Sequence, residues 1–256
     1  MDMNILVCIK QIPDVGGKIR LSDDSRNIDT KNLEFTISPH EECAVEQAIQ
    51  LVNQEGGSAT VLTLGIAGSE EQLRDSLARG MDKGVLLHTD NNNWNANQTA
   101  NAITDTIRKL ESDNGIFDLI LFGGESADRG NAQVGILVAQ TLDRPSVNGI
   151  NGLEIAGNMA LVKRDCDDGI ENYELDLPAV LSVMDGMNLP RFPSLRGTVM
   201  AKKKPIQIIE VEPDETGTTF LKFECPPEQG KQAVILGRGP EAAANVVQVL
   251  KKLELV

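Results

Sequence analysis

The sequence predicts an α/β fold with a doubly wound, mostly parallel sheet. Two observations carry that reading. Strand-like and helix-like segments alternate four times between Asn4 and Leu142, the order from which βαβ units and parallel sheets are built. The first of the strand-like segments is a short continuous apolar run, the mark of a strand covered on both faces.

That run is Asn4-Ile5-Leu6-Val7-Cys8-Ile9. Gln11 to Lys31 is polar and broken by Pro13, Gly16 and Gly17, which reads as a loop or a small hairpin. Ser38-Pro39-His40-Glu41 opens a helix with two signals at once, an S-x-x-E capping box and a proline at the first helical position. Ala44, Ala48, Leu51 and Val52 follow at helical spacing. Ser58 to Leu64 is the second strand, and Ser69-Glu70-Glu71-Gln72 is a second capping box. Its helix carries Leu73, Leu77 and Ala78, and Gly80 suits a left-handed stop. Gly84 to His88 is the third strand, and Ala96, Ala100, Ile103, Ile107 and Leu110 form one stripe of the next helix. Ile116 to Phe122 is the fourth strand, followed by Gly123-Gly124 and a helix from about Asn131 to Leu142.

After Pro145 the rhythm changes. Leu153 to Ile155, Ala160 to Lys163, Glu171 to Leu175 and Ala179 to Val183 read as short strands with no helix between them, a meander expected to extend the sheet. Ile206 to Val211 is one more strand-like run, Glu212 to Gly217 is polar, and Glu241 to Leu255 has the spacing of an amphipathic helix. The expected division is an α/β domain over 1–205 and a C-terminal arm over 206–256. Pattern alone leaves open whether the arm packs on another chain or folds back on its own domain.

Composition excludes several functions. Lys and Arg number 24 against 38 Asp and Glu, a net charge of −14. Binding a phosphate backbone or an anionic membrane surface draws on clustered cations, so both start from behind. Six Phe, one Tyr and one Trp leave few platforms for stacking bases. The four cysteines, Cys8, Cys43, Cys166 and Cys225, never form C-x-x-C and read as reduced, buried thiols of a cytoplasmic protein. Two histidines, His40 and His88, make a zinc site or a Ser-His-Asp triad a poor expectation. Asp165, Asp167 and Asp168 lead into Gly169 and read as a hairpin turn. Lys202-Lys203-Lys204 reads as a solvated helix end or a contact for an acidic partner.

Chemistry in such a sheet is expected outside the carboxyl ends of the strands, where helix N-termini point free N–H groups. Three loops meet that rule: Lys10 onward, Ser38–Glu41, and Gly123–Gln133. In the last, two glycines let the backbone approach a ligand, Ser126 and Asp128 offer acceptors, and Gly130-Asn131 lead into a helix. That geometry suits a phosphate or a ribose; the plainer account is a βα turn with Asp128 as an N-cap. Walker A and G-x-G-x-x-G after the first strand are both absent. Asp185 to Phe192 places Met187, Leu189 and Phe192 in a loop that should be polar, which suits a partner contact or loop-to-core packing.

Taken in order, these residues resemble the β subunit of electron transfer flavoproteins over nearly the whole chain. The matching motifs begin with Lys10, Pro13-Asp14 and Lys18-Ile19-Arg20, then Ser38-Pro39 with Glu42 and Ala44-Val45-Glu46-Gln47-Ala48. They continue with Gly80-x-Asp82-x-Gly84, Asp128 to Gly135, Val162-Lys163-Arg164 with Gly169, and Leu177-Pro178-Ala179-Val180. The most specific is Asn188-x-Pro190-Arg191-Phe192 followed by Ala201-Lys202-Lys203-Lys204. Pro226 to Lys231 looks like the tail of bacterial members whose C-terminal arm wraps the partner subunit.

The resemblance implies an adenine nucleotide alpha-hydrolase-like, Rossmann-type fold and a heterodimer with an α subunit that holds most of the redox-active FAD. It implies a cytoplasmic electron carrier rather than an enzyme, taking electrons from flavin-containing dehydrogenases and passing them to a downstream oxidoreductase. In this subunit it implies a buried structural AMP. The positions carried over for the nucleotide are Cys8, Ser38, Pro39, His40, Glu41, Leu64, Asp128, Arg129, Gly130, Asn131, Ala132, Gln133, Val134 and Gly135. Those carried over for docking are Met187, Asn188, Leu189, Pro190, Arg191 and Phe192, with Met187 where the family often has its leucine anchor. The loop Asp128–Gly135 is also similar to that of bifurcating members, which bind a second FAD in place of AMP and oxidise NADH. Arg129 and Gly130 stand there where those members have Gly and Asp.

Overall fold

A computed structural model describes residues 2–14, 19–90, 93–215, 217–218, 220–226 and 233–256. Gly16, Gly17, Lys18 and the tail positions 227–231 that entered the sequence reading lie outside the described residues. The chain forms two compact units, Met1–Leu221 and Lys222–Val256.

The first unit is a three-layer α/β structure. Its strands and helices run in the order β1 (Met3–Ile9), β2 (Ile12–Pro13), β3 (Phe35–Thr36), α1 (Pro39–Glu55), β4 (Gly57–Gly65), α2 (Glu70–Arg79), β5 (Lys83–His88), α3 (Ala96–Asn114), β6 (Leu119–Gly123) and α4 (Val134–Leu142). They continue with β7 (Ser146–Ile150), β8 (Gly152–Ala156), β9 (Met159–Cys166), β10 (Gly169–Asp176), β11 (Ala179–Val183), α5 (Leu195–Ala201) and β12 (Ile206–Glu210). The main sheet has the order β12-β5-β4-β1-β6-β11-β7, with every neighbouring pair parallel. Ile5, Val7 and Ile9 of β1 face α1 and α2, while Leu6 and Cys8 face α3 and α4, so each face of the central strand seeds its own core cluster. That two-sided burial is why β1 reads as an unbroken apolar run.

Several sequence expectations change on contact with the fold. The second capping box does not form: Ala67–Ser69 is a single 3-10 turn, Ser69 has helical backbone angles, and its Oγ donates to Gln11 Oε1 at 2.9 Å. The helix expected from Asn131 begins at Val134, because Gly130 and Ala132 take positive φ of 57° and 50°. The meander does not extend the main sheet. β8, β9 and β10 make a separate antiparallel sheet, and β11 returns parallel between β6 and β7. A crossover between parallel strands needs a dozen or more residues, usually a helix, and β8–β10 fill that role. Strand β7 and helix α5 went unforeseen.

Two motifs acquire structural accounts. Asp82 accepts the backbone N–H of Ala59 at 2.9 Å and ties the turn before β5 to β4. Lys204, at the end of the basic run, is not solvated: its Nζ donates to the carbonyls of Leu77 and Met81 at 3.1 and 2.6 Å, satisfying the end of α2. Cys8 and Cys43 are buried free thiols, whereas Cys166 is exposed on the β9–β10 turn. Strand β12 pairs with β5, so residues 206–210 belong to the first unit.

In the second unit the helix is shorter than its apolar stripe, with a 3-10 turn at Pro240–Ala242 leading into α6 (Ala243–Lys252). Asn245 Nδ2 donates to the Leu236 carbonyl at 2.8 Å. Among the described residues no helix is long and apolar enough to cross a membrane, and no cluster of His, Cys, Asp and Glu suits a metal ion.

Candidate functional site

The chain lays down β1, β4 and β5 in one direction and then returns across β1 to β6, so the strand order reverses between β1 and β6. Ligands of open α/β sheets bind at that reversal, outside the carboxyl ends of the strands. Lys10 leaves β1 there and Gly123 to Gln133 leaves β6.

These two segments are joined. Lys10 Nζ reaches both oxygens of Asp128 at 2.7 and 2.6 Å. Partial burial works to raise the Asp128 carboxyl, but the Lys10 ammonium and the hydroxyl of Ser126 hold it below the usual aspartate range. Arg129 Nη1 donates to the carbonyl of Trp94 at 3.0 Å, on the segment between β5 and α3. The loop after β6 is thereby tied to the segment that follows β5, two strands beyond β1 in the sheet. It ends in α4, whose first N–H groups at Val134, Gly135 and Ile136 have no partner within the helix. Gly135 is pressed to the sheet, since a Cβ there would lie 3.0 Å from Ser182 Oγ and 3.2 Å from the Phe122 ring.

The start of α1 closes the crevice from the opposite layer. Glu41 Oε2 accepts the backbone N–H of Ser38 at 3.0 Å, the reciprocal half of the capping box, and Ser38 Oγ donates to the Glu125 carbonyl at 3.1 Å. This approach requires a glycine at the end of β6: a Cβ on Gly123 would lie 2.8 Å from Glu41 Cγ and 3.1 Å from the Glu41 backbone nitrogen. Glu41 is buried, and burial pushes its carboxyl up to about 8 despite hydrogen bonds from the Ser38 and Lys10 backbones. Cys8 lies buried in the α3–α4 cluster, where burial, reinforced by the Glu41 charge, drives its thiol well above the usual range. It is an inert wall rather than a nucleophile. Leu64 packs half-buried against the same cluster.

Of the residues singled out for a ligand, Cys8, Ser38, Glu41 and Asp128 thus gather around the β1/β6 reversal, and Gly130 to Gln133 form its exposed rim. Pro39 is exposed and His40 turns away, with Nδ1 accepting the backbone N–H of Asp185 at 2.8 Å. Lys10 and Trp94 were not singled out as ligand-site residues. Lys10 was findable, because it directly follows the first strand; Trp94 enters only through the bond from Arg129.

The loop Asp185–Phe192 leaves β11 on the α1 side. Leu189 and Phe192 are 89% and 91% exposed, whereas Met187 is half-buried against the core cluster and faces a cleft between α1 and β8–β10. Asn188 Nδ2 donates to the Cys43 carbonyl at 3.0 Å, and Arg191 forks onto Glu46 at 2.7 and 2.8 Å. Pro190 is half-buried between them.

The fold and crevice define the class: a Rossmann-type, doubly wound α/β protein with a polar loop drawn over its strand-order reversal. A family model described as "Electron transfer flavoprotein domain" matches residues 26–214. "Electron transfer flavoprotein subunit beta" of Syntrophomonas wolfei is 37% identical over 254 residues, covering 98% of this chain and 97% of that protein. The protein of the same name from Bacillus subtilis is 32% identical over 256 residues, covering 97% and 98%. "Acryloyl-CoA reductase electron transfer subunit gamma" of Anaerotignum propionicum is 29% identical over 270 residues, covering 99% and 100%. The chain belongs to the electron transfer flavoprotein family.

Proposed function

We propose that this chain is the β subunit of a heterodimeric electron carrier, that the β1/β6 crevice holds AMP, and that Asp185–Phe192 docks a flavin-containing dehydrogenase. The redox work falls to an FAD held mostly by the α subunit. Electrons leave it for a downstream acceptor, and this chain breaks no substrate bond itself. The observation that carries the reading is the convergence of Lys10, the Gly123–Gln133 loop and the α4 N-terminus on the strand-order reversal. An ammonium and a helix N-terminus are the donor set an anionic phosphate requires. Lys10 and the N–H groups of Val134 to Ile136 would hold the phosphate, with Cys8, Leu64 and Ser38–Glu41 as the surrounding wall.

The domain limits follow the same reading: the α/β unit, with β12 as its last sheet strand, carries the nucleotide, and the segment beyond it serves the α subunit. One relative's name joins an electron transfer subunit to acryloyl-CoA reduction, so acyl-CoA flavoenzymes are the first redox partners to try. The test is to co-express the chain with its α subunit, purify the complex, denature it and separate the released nucleotides. One FAD and one AMP per heterodimer are expected. No adenine nucleotide beyond the α-bound FAD would overturn the crevice assignment.

A second reading has its own observation. Arg129, which stands where bifurcating members have Gly, donates to the Trp94 carbonyl, while Lys10 holds Asp128. In this reading the loop, similar to that of bifurcating members, holds a second FAD in place of AMP. Two FAD and no AMP in the same experiment would select that NADH-oxidising, bifurcating function.

A further inference from the structure

Two motifs that the sequence sets far apart meet on the outer face of α1. Glu46 is 4% exposed and accepts four hydrogen bonds. Three come from Arg191, from the backbone N at 3.2 Å, Nε at 2.7 Å and Nη2 at 2.8 Å. The fourth comes from Gln50 Nε2 at 2.8 Å. Asn188 Nδ2 bonds the Cys43 carbonyl, one turn nearer the helix start, and Gln47 Oε1, next to Glu46. At the first turn His40 takes the N–H of Asp185. Positions 40, 43, 46 and 47 lie on one stripe of a helix, so a single rigid element grips the loop at its start, middle and end.

We propose that Glu46 is the positioning residue of the docking loop: by clasping Arg191 it fixes the backbone that holds Leu189 and Phe192 out in water. This rests on the reading of Asp185–Phe192 as the docking loop. Two large apolar side chains on an untethered loop gain by collapsing onto the protein's own surface, because burial of apolar area is favourable. Alternating tethers prevent that: Asn188 and Arg191 point to α1 while Leu189 and Phe192 project outward. Glu46 is buried while the Arg191 side chain is 40% exposed; such a pair adds little net stability, and its best-attested use is to specify one arrangement. Burial opposes the Glu46 charge, yet the Arg191 and Gln50 hydrogen bonds hold its carboxyl below the usual glutamate range. The clasp therefore stays charged through neutral pH.

The test is a double-mutant cycle of Glu46→Gln and Arg191→Gln in the complex co-expressed with the α subunit. Hydrogen exchange is read over 185–192, together with electron transfer from an acyl-CoA dehydrogenase reduced by its acyl-CoA. Glu46→Gln should speed exchange at 185–192 and leave the sheet strands unchanged. If the competent loop population falls to a tenth, the half-saturating donor concentration rises about tenfold, with turnover at saturation retained. The double variant should be no worse than the worse single. Unaltered exchange over 185–192, or single effects that multiply in the double variant, would overturn the proposal. Unaltered half-saturation despite faster exchange would overturn it as well. If the wild-type complex accepts no electrons from the dehydrogenase, the docking reading itself fails, and the exchange data still decide whether Glu46 holds the loop.

Discussion

Glu41 offers the sharpest quantitative test, because a buried carboxyl must leave a signature in stability against pH. Its carboxyl stands at about 8 in the folded chain against an ordinary value of 4.5. Between those values the unfolded chain has released the proton while the folded chain keeps it. The folded state then binds more protons, so stability falls as pH rises, by about 1.4 kcal/mol per unit. By neutral pH the accumulated loss relative to acid conditions is about 3 kcal/mol, and the slope ends once the folded group itself ionises. Glu41→Gln keeps the shape and the acceptor for the Ser38 N–H, which Gln supplies equally in a capping box. The variant carries a fixed cost for its buried amide but no pH-dependent one. Lys10 and Asp128, the charged groups facing Glu41, and the Cys8 thiol beside it are common to both proteins, so the difference isolates Glu41. Urea unfolding of the heterodimeric complex, followed by circular dichroism from about pH 5 to about pH 9, measures it. The wild-type curve should descend relative to the variant through neutrality and then run level with it. Parallel curves over the whole range would refute the claim that burial holds the Glu41 carboxyl protonated.

Other consequences can be checked separately. Lys10→Met removes the ammonium paired with the Asp128 carboxyl, and AMP released from the complex should fall severalfold while FAD is retained; equal loss of both would count against the crevice assignment. Gly123→Ala sets a methyl 2.8 Å from Glu41 Cγ and should cost about 1–3 kcal/mol, with faster hydrogen exchange across Ser38–Glu42. Phe192→Ala and Leu189→Ala should leave stability within about 0.5 kcal/mol while weakening dehydrogenase docking, whereas half-buried Met187→Ala should cost about 1–2 kcal/mol in a thermal melt. Glu111→Gln removes the carboxylate whose two oxygens both accept from Arg144 Nη2, at 2.8 and 2.9 Å, between α3 and the end of α4. A loss of about 3–5 kcal/mol is expected in urea unfolding.

Much of the architecture was legible because local chemistry and burial point the same way. Ile5 to Ile9 is apolar on both faces, which only a central strand needs. Ser38, Pro39 and Glu41 together specify a helix start whatever surrounds them. Where one local signal stood against several tertiary contacts, the contacts prevailed. Ser69 matches a capping box, yet Gln11 takes its hydroxyl and Ile66 to Ser69 tighten into a 3-10 turn. The strand Ala179 to Val183 was visible, but its place between β6 and β7 was not, since pairing partners far away in sequence decide register.

By itself the sequence determined the layer order, the parallel core, the acidic surface and the three loops that can face a ligand. Each of these follows from residue type and spacing within a window of a few turns. The tertiary structure alone decided which loops meet. Lys10 and Asp128 are separated by 118 positions and Glu46 and Arg191 by 145, yet each pair is in hydrogen-bond contact. It also decided which apolar residues of the Asp185–Phe192 loop face water. Met187 turns to the core while Leu189 and Phe192 face outward, because the bonds from Asn188 and Arg191 to α1 set the loop's path. Such pairings depend on chain closure over long separations, and no local pattern records them.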